Sequence, residues 1–431
     1  MRFEYDAQGN VTRQMYFSPN GRPAQNEDGV AEIRSEYDAN GNMTKLSYFD
    51  VDGKPKADTN GVFEVRREYD KAGKVIRSAV IYAVTGVKPM REDGIAEERY
   101  EYDADGNVTK RSHFGLDGKP KADKNGVFEG RREYDKAGKV IRGAKIYAVT
   151  GVKPTREDGI AEIRREYDAD GNLTRESYFG VDGKPKDDKN GVFENRWEYD
   201  NAGKVIRVAM IYAVAGVKPT REDGIVEKRV EFDKAGKVIR GAIIYAVAGV
   251  KPTREDGIAE ERLEYDANGN VTKRSHFGLE GKPKADKDGV FEVRTEYGKD
   301  GKRKGKTLIY AVAGVKPTRE DGIAEGRYER DENGNVAKLS FFGLDGKPKA
   351  DKNGVFEVRM ECDKDGKIKR YTNIYVVTGV KPTREDGIAE KRIEFEYDAD
   401  GNGNVTKTSY FGVDGKPVDF NEEGEGVSPS P

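Results

Sequence analysis

The sequence repeats itself every 32 or 33 residues, and this period constrains the fold more than any other feature. A Tyr-Asp dipeptide, or a degenerate form of it, marks thirteen copies. The anchor residues are Tyr5, Tyr37, Tyr69, Tyr102, Tyr134, Tyr167, Tyr199, Phe232, Tyr265, Tyr297, Arg330, Cys362 and Tyr397. A fixed period of this length is typical of repeat architectures, in which each copy is one small unit that stacks on its neighbours.

The copies are of two types, which together form a larger unit of about 65 residues. Type A has the form of residues 101–114, followed by Gly-Leu-Asp-Gly-Lys-Pro up to Pro120. Type B has the form of residues 133–147, followed by Ala-Val-Thr-Gly-Val-Lys-Pro up to Pro154. The order along the chain is A, A, B, A, B, A, B, B, A, B, A, B, A. Copies this similar indicate recent tandem duplication.

The composition excludes several classes of protein. Hydrophobic residues make up 35% and charged residues 36%, which leans towards disorder, but 77 basic residues balance 79 acidic ones and 40 residues are Tyr or Phe. A net charge of −2 provides no broad basic surface for nucleic acid or for an anionic membrane. The one cysteine, Cys362, occupies an anchor position, which indicates a drifted core residue and no disulfide framework.

The first copy is truncated, since residues 1–5 lack most of a first strand. This favours a fragment of a longer protein or a late start codon. The chain shows no apolar run of 18 residues and no basic-then-apolar leader. For a fragment of a longer protein we expect a cell-surface or secreted location, and for a complete chain a cytoplasmic one.

Each copy contains a period of two, the mark of a half-buried strand. In residues 63–69, Phe63, Val65, Arg67 and Tyr69 share one face, and a Glu-x-Arg-x-Glu pattern occupies the other. The first of these faces is only moderately apolar from copy to copy, which predicts a thin core.

A turn follows each anchor, and its Gly suits the positive φ of a type I turn with a left-handed third residue. This three-residue turn pairs Tyr102 with Val108. The alternative, a two-residue turn, pairs Tyr102 with Thr109 and Glu101 with Lys110. We favour the first, although a slip of one residue reverses every side chain.

The second strand ends at another turn, and Lys-Pro then begins a polar loop, as in residues 119–125 and 153–158. Because one hairpin buries too little to stand alone, the hairpins must stack. The predicted fold is therefore all-β: an elongated, solenoid-like twisted sheet of about thirteen tandem β-hairpins. We expect one array over residues 1–420 and a disordered acidic tail over residues 421–431.

The pattern Tyr-Asp-x-x-Gly-Asn-Val/Leu-Thr, at residues 102–109 and 167–174, resembles the bacterial YD repeat of the RHS superfamily. The resemblance implies curling β-sheets in large surface or secreted proteins, often toxin carriers. This chain differs in its longer period and in having no self-cleaving core or toxin segment. It is similar, less specifically, to bacterial MORN-like repeats, which also alternate Tyr and Gly-rich hairpins.

Few residues point to chemistry. Residues 103–107 begin like a calcium-binding EF-hand loop, and residues 398–405 match better, but neither has the closing Glu, so turn formation is the preferred interpretation. His113 and His276 each follow a Ser, yet both stand where other copies carry Tyr or Phe, so we interpret them as aromatic fillers. We predict no catalytic, cofactor or metal site, and hence no enzyme.

The remaining candidates are ligand contacts. Tyr48, Tyr147, Tyr212 and Tyr245 lie near the second turn, where exposed rings would stack on sugars, although packing is the simpler interpretation. The charged loops that begin with Lys-Pro are either solvated or contact a ligand at repeated positions. We therefore expect a non-catalytic bacterial surface or secreted scaffold that binds a repetitive target, such as a polysaccharide, multivalently. The alternatives are an intracellular protein-interaction scaffold and a fragment of a YD-repeat toxin-carrier shell.

Overall fold

A computed structural model describes residues 1–86, 91–215, 222–246, 254–315, 318–380, 383–397 and 403–419. In these ranges the regular elements are all strands, so the all-β prediction is confirmed. The strands fall into two compact units, Met1–Glu222 and Asp223–Pro431. Within each unit, consecutive strands pair antiparallel, as tandem hairpins require.

The first unit holds fourteen of the described strands: β1 (Arg2–Tyr5), β2 (Val11–Met15), β3 (Glu32–Tyr37), β4 (Met43–Phe49), β5 (Glu64–Tyr69), β6 (Val75–Ile81), β7 (Glu97–Tyr102), β8 (Val108–Phe114), β9 (Glu129–Tyr134), β10 (Val140–Ile146), β11 (Glu162–Tyr167), β12 (Leu173–Phe179), β13 (Glu194–Tyr199) and β14 (Val205–Ile211). The second unit continues with β15 (Glu227–Phe232), β16 (Val238–Ile244), β17 (Glu260–Tyr265), β18 (Val271–Phe277), β19 (Glu292–Tyr297), β20 (Arg303–Ile309), β21 (Glu325–Arg330), β22 (Val336–Phe342), β23 (Glu357–Cys362), β24 (Ile368–Ile374), β25 (Ile388–Tyr397), β26 (Gly403–Gly412) and β27 (Pro417–Val418).

Both units thus consist of the predicted hairpin copies, and the tandem array is confirmed at this level. A single domain over residues 1–420 remains a prediction. The predicted tail, residues 421–431, lies outside the described residues.

The hairpin turn combines both of the registers that the sequence allowed. Tyr102 pairs with Val108, as the three-residue turn predicts, and Gly106 takes a φ of +88°. Glu101, however, pairs with Lys110, so Thr109 is an unpaired bulge residue. Its hydroxyl donates to the carbonyl of Glu101 at 3.2 Å. The bulge shifts the register by one residue. Beyond it the second strand follows the alternative register, so its side chains lie on the opposite face from the one that the favoured three-residue turn predicts.

The two faces of the sheet differ as the alternation predicts. We call the face that carries the Glu-x-Arg-x-Glu side chains the glutamate–arginine face, and the face that carries the anchor residues the tyrosine face. On β7 the first contains Glu97, Arg99 and Glu101, and the second contains Tyr100 and Tyr102. Arg99 is exposed, whereas the two tyrosines are half-buried.

The core lies mainly beside the strands rather than on them. The residues just before each first strand are the most deeply buried, for example Ile95, Ile160 and Phe193. The polar loops cover them: in one loop, Arg156 binds Asp158 through two hydrogen bonds, and its Cζ lies 5.3 Å from the ring centroid of Tyr147. The half-buried strand faces agree with the predicted thin core, but the loops are more structured than a purely solvated interpretation implies.

Candidate functional site

A shallow groove on the glutamate–arginine face is the best candidate for a ligand site. At its centre is Ala144 of β10, whose direct cross-strand neighbours are Arg131 of β9 and Arg164 of β11. Arg142 is next along the same face of β10. The small side chain of Ala144 leaves a groove of about 340 Å³ among these guanidinium groups.

Carboxylates hold the three arginines in place. Arg131 donates its Nε–H to Glu129 at 2.6 Å, and Arg142 donates from Nη1 to Glu133 at 3.2 Å. Arg164 donates from Nε and Nη2 to Glu162, and its Cζ lies 3.9 Å from the ring centroid of Phe179. Across the described residues, no acceptor lies within hydrogen-bond distance of either Nη of Arg131. These donors are therefore available to a ligand.

Charged groups of both signs line the groove on this face. The guanidinium groups of Arg131, Arg142 and Arg164 meet the carboxylates of Glu133, Glu162 and Glu166, and Glu129 binds Arg131 from outside the lining. Burial alone would raise the pKa of Glu129, but Arg131, Ser112 and Lys110 outweigh it and hold that pKa below its ordinary value. The hydrogen bond to Glu162 raises the pKa of Arg164. Both groups are therefore charged at neutral pH.

The arrangement recurs in other type B copies. Ala79, Ala242 and Thr372 each lie between two arginines of the neighbouring strands, with a third arginine two residues earlier on their own strand. The groove at Ala79 has a volume of about 450 Å³. At Thr307 the two flanking arginines remain, but Gly305 replaces the third.

Sequence reasoning missed this groove, although a signal is present. Type B copies carry Arg-x-Ala or Arg-x-Thr in the second strand, as at Arg142 and Ala144. The importance of that pair appears only when the strand register places Arg131 and Arg164 on either side of it.

The predicted ligand-contact tyrosines lie elsewhere, near the second turns. Tyr147, Tyr212 and Tyr245 are buried, and Tyr48 is half-buried. Burial raises the pKa of Tyr48 and of Tyr245. Arginines of the polar loops cover Tyr147 and Tyr245. A ligand role for these four residues remains a prediction.

The Ser-His pairs do not form a catalytic arrangement. Ser112 and His113 are consecutive on β8 and point to opposite faces, and Ser112 donates its hydroxyl hydrogen to Glu129 at 2.9 Å. His113 is buried, and its Nδ1 lies 3.0 Å from the carbonyl oxygen of Val127. His276 makes the same contact with Val290. Both histidines thus occupy the packed position of an aromatic residue.

Each buried histidine has a buried glutamate as its cross-strand partner. His113 pairs with Glu98 and His276 with Glu261. Glu98 accepts hydrogen bonds from Arg91 at 2.9 Å, from Arg111 at 2.5 Å and from the hydroxyl of Tyr100. These contacts satisfy a carboxylate that the sequence alternation would place in an apolar row.

The aspartates of the turns serve the backbone. Asp103 accepts the N–H groups of Asp105 and Asn107 through Oδ1, which is ordinary turn chemistry. Among the described residues, no cluster of three or more His, Cys, Asp or Glu side chains suits a metal ion. Residues 398–402, which begin the better calcium match, lie outside the described residues. Burial raises the pKa of the Cys362 thiol, which makes it a poor nucleophile.

No family model matches the chain, and no curated protein does. Solved structures with similarity include the TcdB2-TccC3-Cdc42 complex, at 13% identity and a TM-score of 0.20, and the Photorhabdus luminescens Tc holotoxin pore with TccC3-D651A, at 13% and 0.18. The matches cover 95% of this chain but only 22% and 19% of those chains. Scores this low carry no functional conclusion. In the described residues, no helix is long and apolar enough to cross a membrane.

Proposed function

We propose that this chain is a non-catalytic scaffold, of the bacterial surface or secreted kind, that binds a repetitive polysaccharide through its arginine grooves. The observation that carries this proposal is the recurrence of one arrangement, a small residue between arginines of the two neighbouring strands, at Ala79, Ala144, Ala242 and Thr372. A single asymmetric active site would not recur in this way.

The chemistry of the groove favours a sugar over a polyanion. A sugar hydroxyl both donates and accepts, so it suits a rim where arginine donors alternate with glutamate acceptors. The carboxylates of Glu133, Glu162 and Glu166 offset the three guanidinium groups on the same face, which reduces the electrostatic advantage of an anionic ligand. Ala144 supplies an apolar floor for the C–H face of a sugar ring.

Repetition makes weak sites useful. The grooves at Ala79 and Ala144, both in the first unit, are four strands apart, which corresponds to about 19 Å across a sheet. A polymer that presents the same group repeatedly can occupy several grooves at once, and the bound grooves raise the effective concentration at the others. We therefore expect strong binding to a polysaccharide and weak binding to its monosaccharide.

A glycan array tests the proposal, with neutral and acidic polysaccharides beside their monosaccharides. The variant Ala79→Leu/Ala144→Leu/Ala242→Leu places a larger side chain between the flanking arginines in three copies, and we expect it to reduce polysaccharide binding at least tenfold. The control Ala72→Leu/Ala137→Leu changes exposed turn residues and leaves the grooves open. Failure of the unmodified chain to bind any glycan, or equal binding by the filled and control variants, would overturn the proposal.

Membership of the YD-repeat family also remains a proposal, supported by the tandem hairpins and the Tyr-Asp turns. An intracellular protein-interaction scaffold and a toxin-carrier shell are alternative functions that this fold also allows. Binding to proteins instead of glycans would favour either of them over a polysaccharide-binding scaffold.

A further inference from the structure

One type B hairpin departs from the others on the tyrosine face. In β9 and β10, two cross-strand pairs on this face are Gly130–Lys145 and Arg132–Gly143, which contain no apolar side chain. Each of the other described type B hairpins has at least one apolar side chain at these two places. Their pairs are Val65–Val80 and Arg67–Ser78, Asn195–Met210 and Trp197–Val208, Lys228–Ile243 and Val230–Gly241, Val293–Leu308 and Thr295–Lys306, and Val358–Asn373 and Met360–Tyr371. Packing of the sheet therefore does not explain the residues of β9 and β10.

Gly143 lies between two arginines. It pairs directly with Arg132 of β9 and with Arg165 of β11, so the three residues form a row across the sheet. Because neighbouring strands lie about 4.8 Å apart, the backbones that carry the two arginines are about 10 Å apart. A carbon added to Gly143 would meet the carbonyl oxygen of Arg131 at 3.6 Å and Cε2 of Tyr167 at 3.9 Å. The space between the two arginines is thus open, apart from the edge of that ring.

Gly130 repeats this arrangement in the adjacent row. It pairs with Lys145 of β10 and, on its other side, with Arg111 of β8. A carbon added to Gly130 would meet the carbonyl oxygen of Ala144 only at 4.0 Å. Four basic side chains from the two rows therefore surround a shallow depression with two glycines at its floor. We call it the glycine depression.

Two of these four basic groups are available to a ligand. Arg132 and Lys145 are both exposed. In the part of the chain that the structure describes, neither has a hydrogen-bond acceptor or a carboxylate within reach. Both therefore present all their donors to solvent.

Each of the other two basic groups binds a carboxylate. Arg165 donates its Nε–H to Glu176 at 2.6 Å, and Arg111 donates from Nη2 to Glu98 at 2.5 Å. The four basic groups outnumber these two carboxylates, so an excess of positive charge remains at the glycine depression. Like charges this close repel one another, and an anion between them removes the repulsion.

We propose that the glycine depression binds a tetrahedral oxyanion, the group that phosphate and sulfate share. Arg132 and Lys145 donate to its oxygens, and the forked donors of arginine suit such a group. The glycines allow the anion to approach the sheet closely. This site goes beyond the proposed sugar grooves, because it lies on the opposite face of the sheet.

Isothermal titration calorimetry of the full chain at low ionic strength tests the inference, with inorganic phosphate and inorganic sulfate titrated separately. We expect saturable binding of both at one site per chain, and the tighter of the two identifies the source of the group. We expect Arg132→Gln/Lys145→Gln to weaken binding at least tenfold. The control Lys71→Gln/Lys136→Gln removes the same charge from exposed turn residues and should bind as the unmodified chain does.

A second variant separates the shape of the site from its charge. Gly130→Val/Gly143→Val introduces the residue type found at the same places as Val65 and Val208, and it keeps every charge. Because the two side chains fill the glycine depression, we expect binding to weaken at least tenfold while the far-UV circular dichroism spectrum stays unchanged.

Absence of saturable binding for both anions would overturn the inference. Equal losses in the two glutamine variants, or acetate binding as tightly as phosphate and sulfate, would also overturn it, since charge alone would then explain the result. Unchanged binding by the valine variant would place the anion elsewhere. The glycine depression and the arginine grooves lie on opposite faces, so either proposal can fail without the other.

Discussion

At the scale of the residue, the anchor tyrosine explains how one copy recognises the next. In several copies its hydroxyl donates to the backbone carbonyl at the start of the second strand of the preceding hairpin, as from Tyr134 to Val108 at 2.9 Å. In some type A copies that follow a type B copy, the ring instead meets a small residue: Tyr102 contacts the hydroxyl of Ser78, and Tyr167 packs beside Gly143.

Removal of one such hydroxyl should have a measurable effect. We expect Tyr134→Phe to lower the free energy of unfolding by about 1 kcal/mol, because the carbonyl of Val108 loses its donor in a partly buried setting. The matched control is Tyr5→Phe, since Tyr5 is exposed and should lose nothing. Chemical denaturation of the two variants compares them, and equal losses would show that the bond is unimportant.

The buried glutamate makes a second prediction, with a dependence on pH. Burial alone would raise the pKa of Glu98, but its bonds to Tyr100, Arg111 and Arg91 outweigh that effect and lower the pKa. We expect Glu98→Gln to lower the free energy of unfolding by about 2 kcal/mol at neutral pH. The loss is smaller than for a fully enclosed ion pair because Arg111 is half-exposed.

The sign of the pH dependence follows from the lowered pKa. The stability from ionised Glu98 is complete above its ordinary pKa and disappears as the pH falls through the lower value of the folded state. The difference in the free energy of unfolding between wild type and Glu98→Gln should therefore disappear below about pH 4. Glu97→Gln, on the exposed face of the same strand, should cost less than about 1 kcal/mol. A gap for Glu98→Gln that persists in acid would contradict this account.

At the scale of the element, the turn decides the register. Gly106 has a φ of +88°, a conformation that a side chain disfavours. We expect Gly106→Ala to lower the free energy of unfolding by about 1 kcal/mol. Gly130→Ala in β9 should be neutral, because Gly130 has no positive φ and its nearest neighbour is 4.0 Å from the added carbon. Thermal denaturation distinguishes the two, and a harmless Gly106→Ala would show that the turn tolerates another form.

Sequence alone predicted these hairpins well, for a physical reason. The alternation around Tyr102 and the Gly of the turn are local signals, so the strands, the turn and the face of the first strand follow from a few adjacent residues. The bulge at Thr109 did not follow, because two registers fit the same local pattern and only the pairing of Glu101 with Lys110 separates them. Contacts of Arg156 with Tyr147 were likewise hidden, since they bring a loop back onto a strand end.

At the scale of the whole molecule, stability should be a sum over neighbouring copies. Removal of residues 97–161, which form one type A and one type B copy, joins Ala96 directly to Glu162. Because Ala161 precedes Glu162 in the native chain, the residue before this strand is still an alanine. Tyr167 then meets Ser78, as Tyr102 does now. We expect the shortened chain to fold with an unchanged β spectrum per residue.

Removal of one strand is the contrasting control. Deletion of β7 alone makes β6 and β8, which run in the same direction, consecutive strands, so a tight hairpin can no longer join them and we expect local unfolding at this junction. Circular dichroism and limited proteolysis measure both deletions. Complete unfolding of the variant that lacks residues 97–161 would argue against an additive array.

The candidate groove belongs to this scale as well, which is why sequence alone did not find it. Arg131, Ala144 and Arg164 come from three strands of three hairpins, and only the register of the sheet brings them together. The sequence predicted that charged side chains would recur on one face. It did not show which of them meet.

The hydroxyl bond that joins several anchor tyrosines, such as Tyr134, to the hairpin before them also limits how such a gene can change in length. An insertion of a few codons between two hairpins would break that bond. Gain or loss of a whole copy by recombination between similar repeats preserves it. Alleles of this gene should therefore differ in length by steps of about 32 or 65 codons, with few intermediate sizes.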